Sequence, residues 1–594
     1  MNKKVLLPLS IIAIFALTGC FQNSINNKGS SNSPSGDESS EDHGSAYDYN
    51  TSISVEDPED IDVEENEEEF KMTTKDGEFT KNENIYTILK AGTYAASGKL
   101  EGQILVDAGD DDEVVIELSN ATIIYDKDSP IKAINGDKLE ISAKKETGNV
   151  VIDNRSVKTV DDNSMGEGAI NAKMDLKLKG AGTLVVTGNY NNGIHTTKDL
   201  TIQKQTLKVT GYNNAIKGKN SVTITSGEIQ AYALTGNGIK TENTDVSSKG
   251  NQRGSIFVNG GSLYVDSLHD ALDASYDIHV DELDSEVPTT ISIKTGIYSS
   301  SYDIRKFTAD SEKGLKAQNN IVVSNGTVVI AASDDAMHAN YGDQLDNGKV
   351  GEGNIFIDNG LVKIASGDDG LHADNMLTIN GGVVVVTGAV EGLEATLVNI
   401  AGGSCYIYGS DDGVNASKKS DITCGFVMSN GYLDIAVTKG DTDGIDSNGY
   451  FDFSGGIIVT RGSPGTSTNR MSTGLDVDGE CRMSGGTLIA FNGLERKPTT
   501  GTDVNYAGTS NANQSGGGPG GPGGPGRPLA ASSFAAGHYR LSGDGLDINF
   551  INDFTYASFM VYSSSMSLNS SYTLAREDAT VLSWTQSSKS VTIS

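Results

Sequence analysis

The stretch GDDGLHADN, residues 367–375, holds three aspartates, a histidine and two glycines in nine positions. Such a group could bind a metal, pass a proton, or make a polar turn in which Asp and Gly are simply good turn formers. One copy does not choose between these, but the chain repeats the motif. Just ahead of a recurring aliphatic residue stand Asp334-Asp335, Asp368-Asp369, Glu391, Asp411-Asp412 and Asp443, with Asp441 close by and Asp270 at the same place earlier. Just behind that residue stand Asp273, Lys316, His338, His372, Glu394, Asn415, Asp446 and Asp476, and Asp374 follows His372 closely.

The elements that must position these groups are short strands. A pattern of small, aliphatic, variable, small residue recurs as AINA at 169, GIHT at 193, AIKG at 215 and GIKT at 238. It continues as ALDA at 271, GLKA at 314, AMHA at 336, GLHA at 370, GLEA at 392, GVNA at 413, GIDS at 444 and GLDV at 474. The short intervals are 21 to 24 residues, and longer ones contain polar insertions such as 340–353. Each period holds about three short strands and three turns. A strand of four or five residues cannot bury its apolar face alone, whereas stacked coils line Val, Ile and Leu into internal ladders. The fold class expected is an all-β, right-handed parallel β-helix of roughly a dozen coils with a C-terminal β capping segment.

In such a solenoid equivalent positions stack, so the acidic turns form columns on one edge. Neighbouring coils lie about 4.8 Å apart, twice a Ca²⁺–oxygen distance of about 2.4 Å. Bare carboxylates at that spacing repel by roughly 3 kcal/mol at an effective dielectric near 20, and a Ca²⁺ between them converts repulsion into coordination. The expected calcium cluster runs from Asp334 to Asp446, including Asp368, Glu394 and Asp411, with Asp270, Asp273 and Asp374 as weaker candidates. His338 and His372 share one column and fit either a transition-metal or base role or a hydrogen-bonding role, an insertion separating them. Lys217, Lys240 and Lys316 share that column upstream, and a lysine beside calcium is what a uronate lyase requires.

The composition sets limits. A net charge of −34 over 594 residues disfavours nucleic acid and anionic membrane surfaces as direct partners and favours cations. Lys3 and Lys4 precede an apolar run ending in Leu17-Thr18-Gly19-Cys20, which resembles a bacterial lipobox. The expectation is an exported protein, cleaved before Cys20 and lipidated there, bound to a membrane and facing the cell surface or outer membrane in a diderm. Residues 21–72 read as an acidic, Ser-rich solvated tether, 73–515 as the β-helix, 516–530 as a Gly/Pro-rich loop and 531–594 as a terminal β segment. Cys405, Cys424 and Cys481 are an odd number; Cys405 and Cys424 could bridge or remain buried thiols.

The segment AGTYAASGKLEGQILVDAGDDDEVVIELSNATI (91–123), the DDGLHAD and DGIDSN elements and the Gly-Pro loop resemble the bacterial carbohydrate-binding domain-containing family. That resemblance implies a calcium-bearing parallel β-helix that binds pectic or cellulosic polysaccharide. The coils are also similar to polysaccharide lyase family 9. By position, the resemblance makes Asp335, Asp369, Glu391, Asp412 and Asp443 calcium ligands. It offers Lys316 alone as a lyase base, since His372, Glu394, Asn415 and Asp446 stand where a lysine would be expected. The function expected is polysaccharide binding through calcium; the alternatives are a calcium-dependent uronate lyase or a surface rod without glycan specificity.

Overall fold

The computed structural model describes residues 53–296, 311–438, 440, 442–464, 472–510 and 533–593, and these contain strands and turns but no helix. Nearly all strands join one mostly parallel sheet system in which each strand pairs with its equivalent one coil away. The strand after the repeated turn forms the first face, from Ile131–Asn135 through Leu371–Ile379 to Leu475–Val477. Its register is unbroken: Ile131 pairs with Ile170, Ile170 with Ile194, Met337 with Leu371, Leu371 with Leu393 and Ile445 with Leu475. Two further faces stack the same way, as in Leu176 on Leu200 and Leu184 on Leu207.

The repeat now has a physical reading. The aliphatic position points inward and is fully buried, and each such side chain contributes about 1.5–3 kcal/mol. The residue before it must be small because the third face crowds it. A Cβ on Gly392 would lie 2.1 Å from Ile407 Cγ2, and one on Gly413 would lie 2.1 Å from Ile435 Cγ2. The insertion 340–353 leaves the coil as a hairpin of Tyr341–Gln344 and Val350–Glu352, so the coils on either side still pair directly.

Both ends of the solenoid are closed by antiparallel pairing, which blunts otherwise open sheet edges. Lys71–Thr74 pairs with Gly92–Glu101, and Phe559–Ser563 pairs with Thr487–Phe491. The terminal segment adds a four-stranded antiparallel sheet over an aromatic cluster that includes Phe491, Phe550, Phe559 and Trp584. Arg461, fully buried, ties this cap to the helix through Asp434, the Ile435 and Ile551 carbonyls and Asn552. Cys405, Cys424 and Cys481 are free thiols, and burial pushes Cys405 and Cys481 up to about 12.

Part of the stretch read as a solvated tether is instead a strap. Ile53 and Val55 are buried, Ile53 against Ala365 and Val385, Val55 against Tyr264 and Ala331. Further along, Asp57 accepts hydrogen bonds from Lys294 Nζ at 2.6 Å and Tyr264 Oη at 2.8 Å. The Glu59 carbonyl accepts from Gln230 at 2.7 Å, and the Asn66 N–H donates to Thr122 at 2.8 Å. Residues 53–66 therefore run along the third face against the direction of coil stacking. A polar composition predicts solvation, but these few apolar and ion-pairing residues meet partners at matching intervals. The leader, Cys20 and the loop 516–530 lie outside the described residues.

Candidate functional site

In several of the turns entering first-face strands a side chain accepts a hydrogen bond from the same turn one coil on. Early in the solenoid it is asparagine. Asn192 Oδ1 accepts from Asn214 N at 3.3 Å and Asn214 Nδ2 at 2.8 Å, and Asn214 Oδ1 accepts from Asn237 N at 3.1 Å. From Asp270 onward acidic side chains take over. Asp270 Oδ1 accepts from Lys313 N at 2.9 Å, Asp335 Oδ1 from Asp369 N at 3.0 Å and Asp369 Oδ1 from Glu391 N at 3.1 Å. Asp412 Oδ1 accepts from Asp443 N at 2.7 Å. The ladder needs only an oxygen, so the charge is an addition to it.

The second column is stacked as its spacing predicts. Lys240 pairs in register with Asp273, Asp273 with Lys316, Lys316 with His338, His338 with His372, His372 with Glu394, Glu394 with Asn415 and Asn415 with Asp446. The two histidines are adjacent rungs, their rings 4.2 Å apart and 9° from parallel.

The upstream half of the acidic edge carries its own cations. Lys313 Nζ stands 2.8 Å from Asp334 Oδ2 and 2.6 Å from Asp335 Oδ2, and Lys419 Nζ stands 3.0 Å from Glu394 Oε1. His338 Nδ1 is 2.7 Å from Asp335 Oδ2, while His372 Nδ1 is 3.0 Å from Asp369 Oδ2 and 3.2 Å from Glu394 Oε2. Burial opposes charge on His372, but Asp374, Asp335 and Glu394 together hold its pKa above the ordinary value. Asp335 is held below the carboxylate range despite its burial, by His338 and Lys313 foremost. Burial and hydrogen bonding to Glu391 push Asp369 well above that range. Asp368, with Asp335 and Asp334 nearby, is raised by burial and their charge to about 6.

Lysines also occupy the earlier acidic positions. Asp270 Oδ2 lies 3.3 Å from Lys316 Nζ, and Asp273 pairs with Lys240 and accepts from Asn237 Nδ2 at 2.8 Å. Lys316, the alternative lyase base, thus lies beside Asp270 and Ser311 Oγ, 3.2 Å away, and apart from the downstream carboxylates. Asp441 lies outside the described residues. Lys313 occupies the ladder position in EKGLKA and could have been read by alignment, whereas Lys419 comes from a loop without periodic signal.

The downstream half differs. Burial is the largest influence on Asp412, Asp443 and Asp446, and their strongest charged neighbours are other carboxylates. Asp412 rises to about 8 with Asp446, Asp443 and Asp411 near it. Asp443 rises to about 7 and Asp446 to about 6, with Asp476 foremost among the charges around both. Asn415 Nδ2 donates to Glu391 Oε1 at 3.2 Å, linking the two halves. Oxygen donors crowded by like charge suit a hard cation such as Ca²⁺. Among the described residues the one all-carboxylate group whose ligand atoms lie within 4.8 Å of one another is Asp334, Asp335 and Asp368, upstream, and Lys313 stands against two of them.

The model of the carbohydrate-binding domain-containing protein family matches residues 82–352 and 343–495, most of the solenoid. The chain belongs to that family. A carbohydrate-binding domain-containing protein of Acetivibrio thermocellus is 31% identical over 217 residues, covering 36% of this chain and 65% of that relative. This family member therefore spans just under two thirds of that relative's length. A solved structure described as the polysaccharide lyase-like protein from C. thermocellum, a gadolinium derivative, is 29% identical, with a TM-score of 0.35 over 44% of this chain and 92% of that one.

Proposed function

We propose that this protein binds an acidic polysaccharide of the pectic, uronate-containing class through Ca²⁺ held on the downstream acidic edge. The observation that carries the reading is Asp412 in one coil with Asp443 and Asp446 in the next, buried or half-buried, raised by burial first and then by surrounding carboxylates that include Asp411 and Asp476. These residues with Glu391 would hold the ion, which would supply the positive charge that a −34 chain needs to meet a polyanion. The protein's part is to fix the oxygens at coil spacing and exclude water from their inner side. Family membership supports a carbohydrate partner.

The test is retention on polygalacturonate and on a neutral glucan, with Ca²⁺ and after chelation. Chelation, and separately the D412N/D443N variant, should weaken polygalacturonate retention at least about tenfold, a loss of roughly 1.4 kcal/mol or more. Equal retention with and without the ion would end the calcium reading. The lipid anchor is part of the proposal and has its own test: Cys20→Ala should release the protein from the membrane fraction and abolish labelling by a fatty-acid analogue.

A further inference from the structure

We infer that the stacked His338–His372 pair, with Asp335, Asp369 and Glu394, forms a separate site for a borderline divalent transition metal of the Zn²⁺ class. The inference does not rest on the calcium reading, because it uses different residues and a different donor chemistry.

The two imidazoles are held differently: His338 Nδ1 hydrogen-bonds Asp335 Oδ2 at 2.7 Å, whereas neither ring nitrogen of His372 has a hydrogen-bond partner. Both Nδ1 atoms face the same carboxylate oxygen, Asp335 Oδ2, at 2.7 Å from His338 and 3.7 Å from His372. Asp369 Oδ2 and Glu394 Oε2 close in on His372 Nδ1 at 3.0 and 3.2 Å. Donors bound to one ion at about 2.0–2.2 Å stand about 3.0–3.5 Å from one another, which is the separation found around His372. The ligand atoms of Asp335, His338 and His372 all lie within 4.8 Å, as do those of Asp369, His372 and Glu394, so two overlapping groups share His372.

The hydrogen-bond geometry points the same way. Both nitrogens of His372 are buried, yet neither makes a well-directed hydrogen bond. Carboxylate oxygens thus stand 3.0 and 3.2 Å from His372 Nδ1 without a hydrogen bond between them. On the far side of both rings lies a single carboxylate, Asp374 Oδ1, 3.4 Å from His372 Nε2 and 3.7 Å from His338 Nε2. Asp374 is itself fixed, Oδ2 accepting the Tyr341 N–H at 2.9 Å from the inserted hairpin. A carboxylate behind a ligating histidine accepts its other N–H once the metal is bound, and Asp374 is placed for that role. Lys419 holds Glu394 through Oε1, leaving Oε2 turned to the histidine.

Imidazole nitrogen decides the class of ion. Ca²⁺ takes oxygen donors, whereas two imidazoles with carboxylates suit first-row divalent ions, Zn²⁺ binding more tightly than Mn²⁺. In this arrangement the 340–353 hairpin does two things: it leaves the coil so that the histidines can stack, and it supplies the N–H that anchors Asp374.

The test is calorimetric titration of the full chain, stripped of metal, with Zn²⁺ alone and then with Zn²⁺ in excess Ca²⁺. About one Zn²⁺ per chain should bind, and Ca²⁺ should not displace it. H338Q/H372Q should weaken binding at least about 10–100-fold, while D412N/D443N should leave it unchanged. A visible Co²⁺ absorption band should be present in the parent chain and absent from the histidine variant. If that variant does not fold, protection of the histidines in the parent chain from diethylpyrocarbonate by Zn²⁺ serves instead. Absence of Zn²⁺ binding, displacement by Ca²⁺, or histidine reactivity unaltered by Zn²⁺ would each overturn the assignment.

Discussion

The coils around Asn192, Asn214 and Asn237 and those around Asp335, Asp369 and Asp412 make the same turn and the same inter-coil hydrogen bond. One stretch makes it with a neutral amide, the other with a carboxylate. The fold is therefore indifferent to the charge, and the charge must be explained by something else the edge meets. The carboxylate stretch divides again: its upstream part is balanced by Lys313, Lys419 and the histidines, while Asp412, Asp443 and Asp446 have mainly other carboxylates around them, Asp411 and Asp476 included.

The largest effect of a single substitution should come from breaking the balanced part. Asp335→Ala removes the partner of His338 and one partner of Lys313, and takes the acceptor from the Asp369 N–H. Stability should fall by about 3–5 kcal/mol, measured by denaturant unfolding, with Asp335→Asn losing less because it keeps an acceptor. A cost under about 1 kcal/mol would mean that the buried charges relax into solvent.

Next comes pH. Asp412, Asp443 and Asp446 titrate near 8, 7 and 6 in the fold, whereas an unfolded aspartate titrates near about 4. Over that window the folded chain binds more protons than the unfolded one, so stability falls as pH rises from about 4 to 8. In chelator the unfolding free energy should drop across this range, by on the order of 10 kcal/mol at most, with the melting temperature falling alongside, and Ca²⁺ should flatten the slope. A slope unmoved by Ca²⁺ would separate the acids from metal binding.

Exchanging the two ladder chemistries gives smaller effects of opposite sign. Asn214→Asp places an extra charge in the neutral ladder and removes the Nδ2 donor to Asn192, at about 1–3 kcal/mol. Asp412→Asn keeps an oxygen for the Asp443 N–H and removes a repelling charge, so at pH 8 without metal it should stabilise by about 1 kcal/mol. Thermal unfolding of the pair at matched pH checks both signs.

Much of this was readable in the residues. Period-bound positions carry their register with them, so the column from Lys217 to Asp476 stacks as its spacing predicts. Chain distance misled at two places. His338 and His372 looked separated by an insertion, yet a hairpin that leaves the coil changes no register. Residues 53–66 looked solvated because composition records how many polar groups a segment has, not which partners they find. The counter-cation Lys419 lies in a non-repeating loop, so only three-dimensional closure brings it to Glu394.

The strap has a mechanical consequence. Its first described residues rest beside Ala365 and Val385, past the middle of the solenoid, and its chain runs on into the coils at their N-terminal end. A force applied ahead of Ile53 is thus delivered to the flank of the solenoid rather than to its tip. It would unzip the strap contact by contact, beginning with Ile53 and Val55, before any coil is strained.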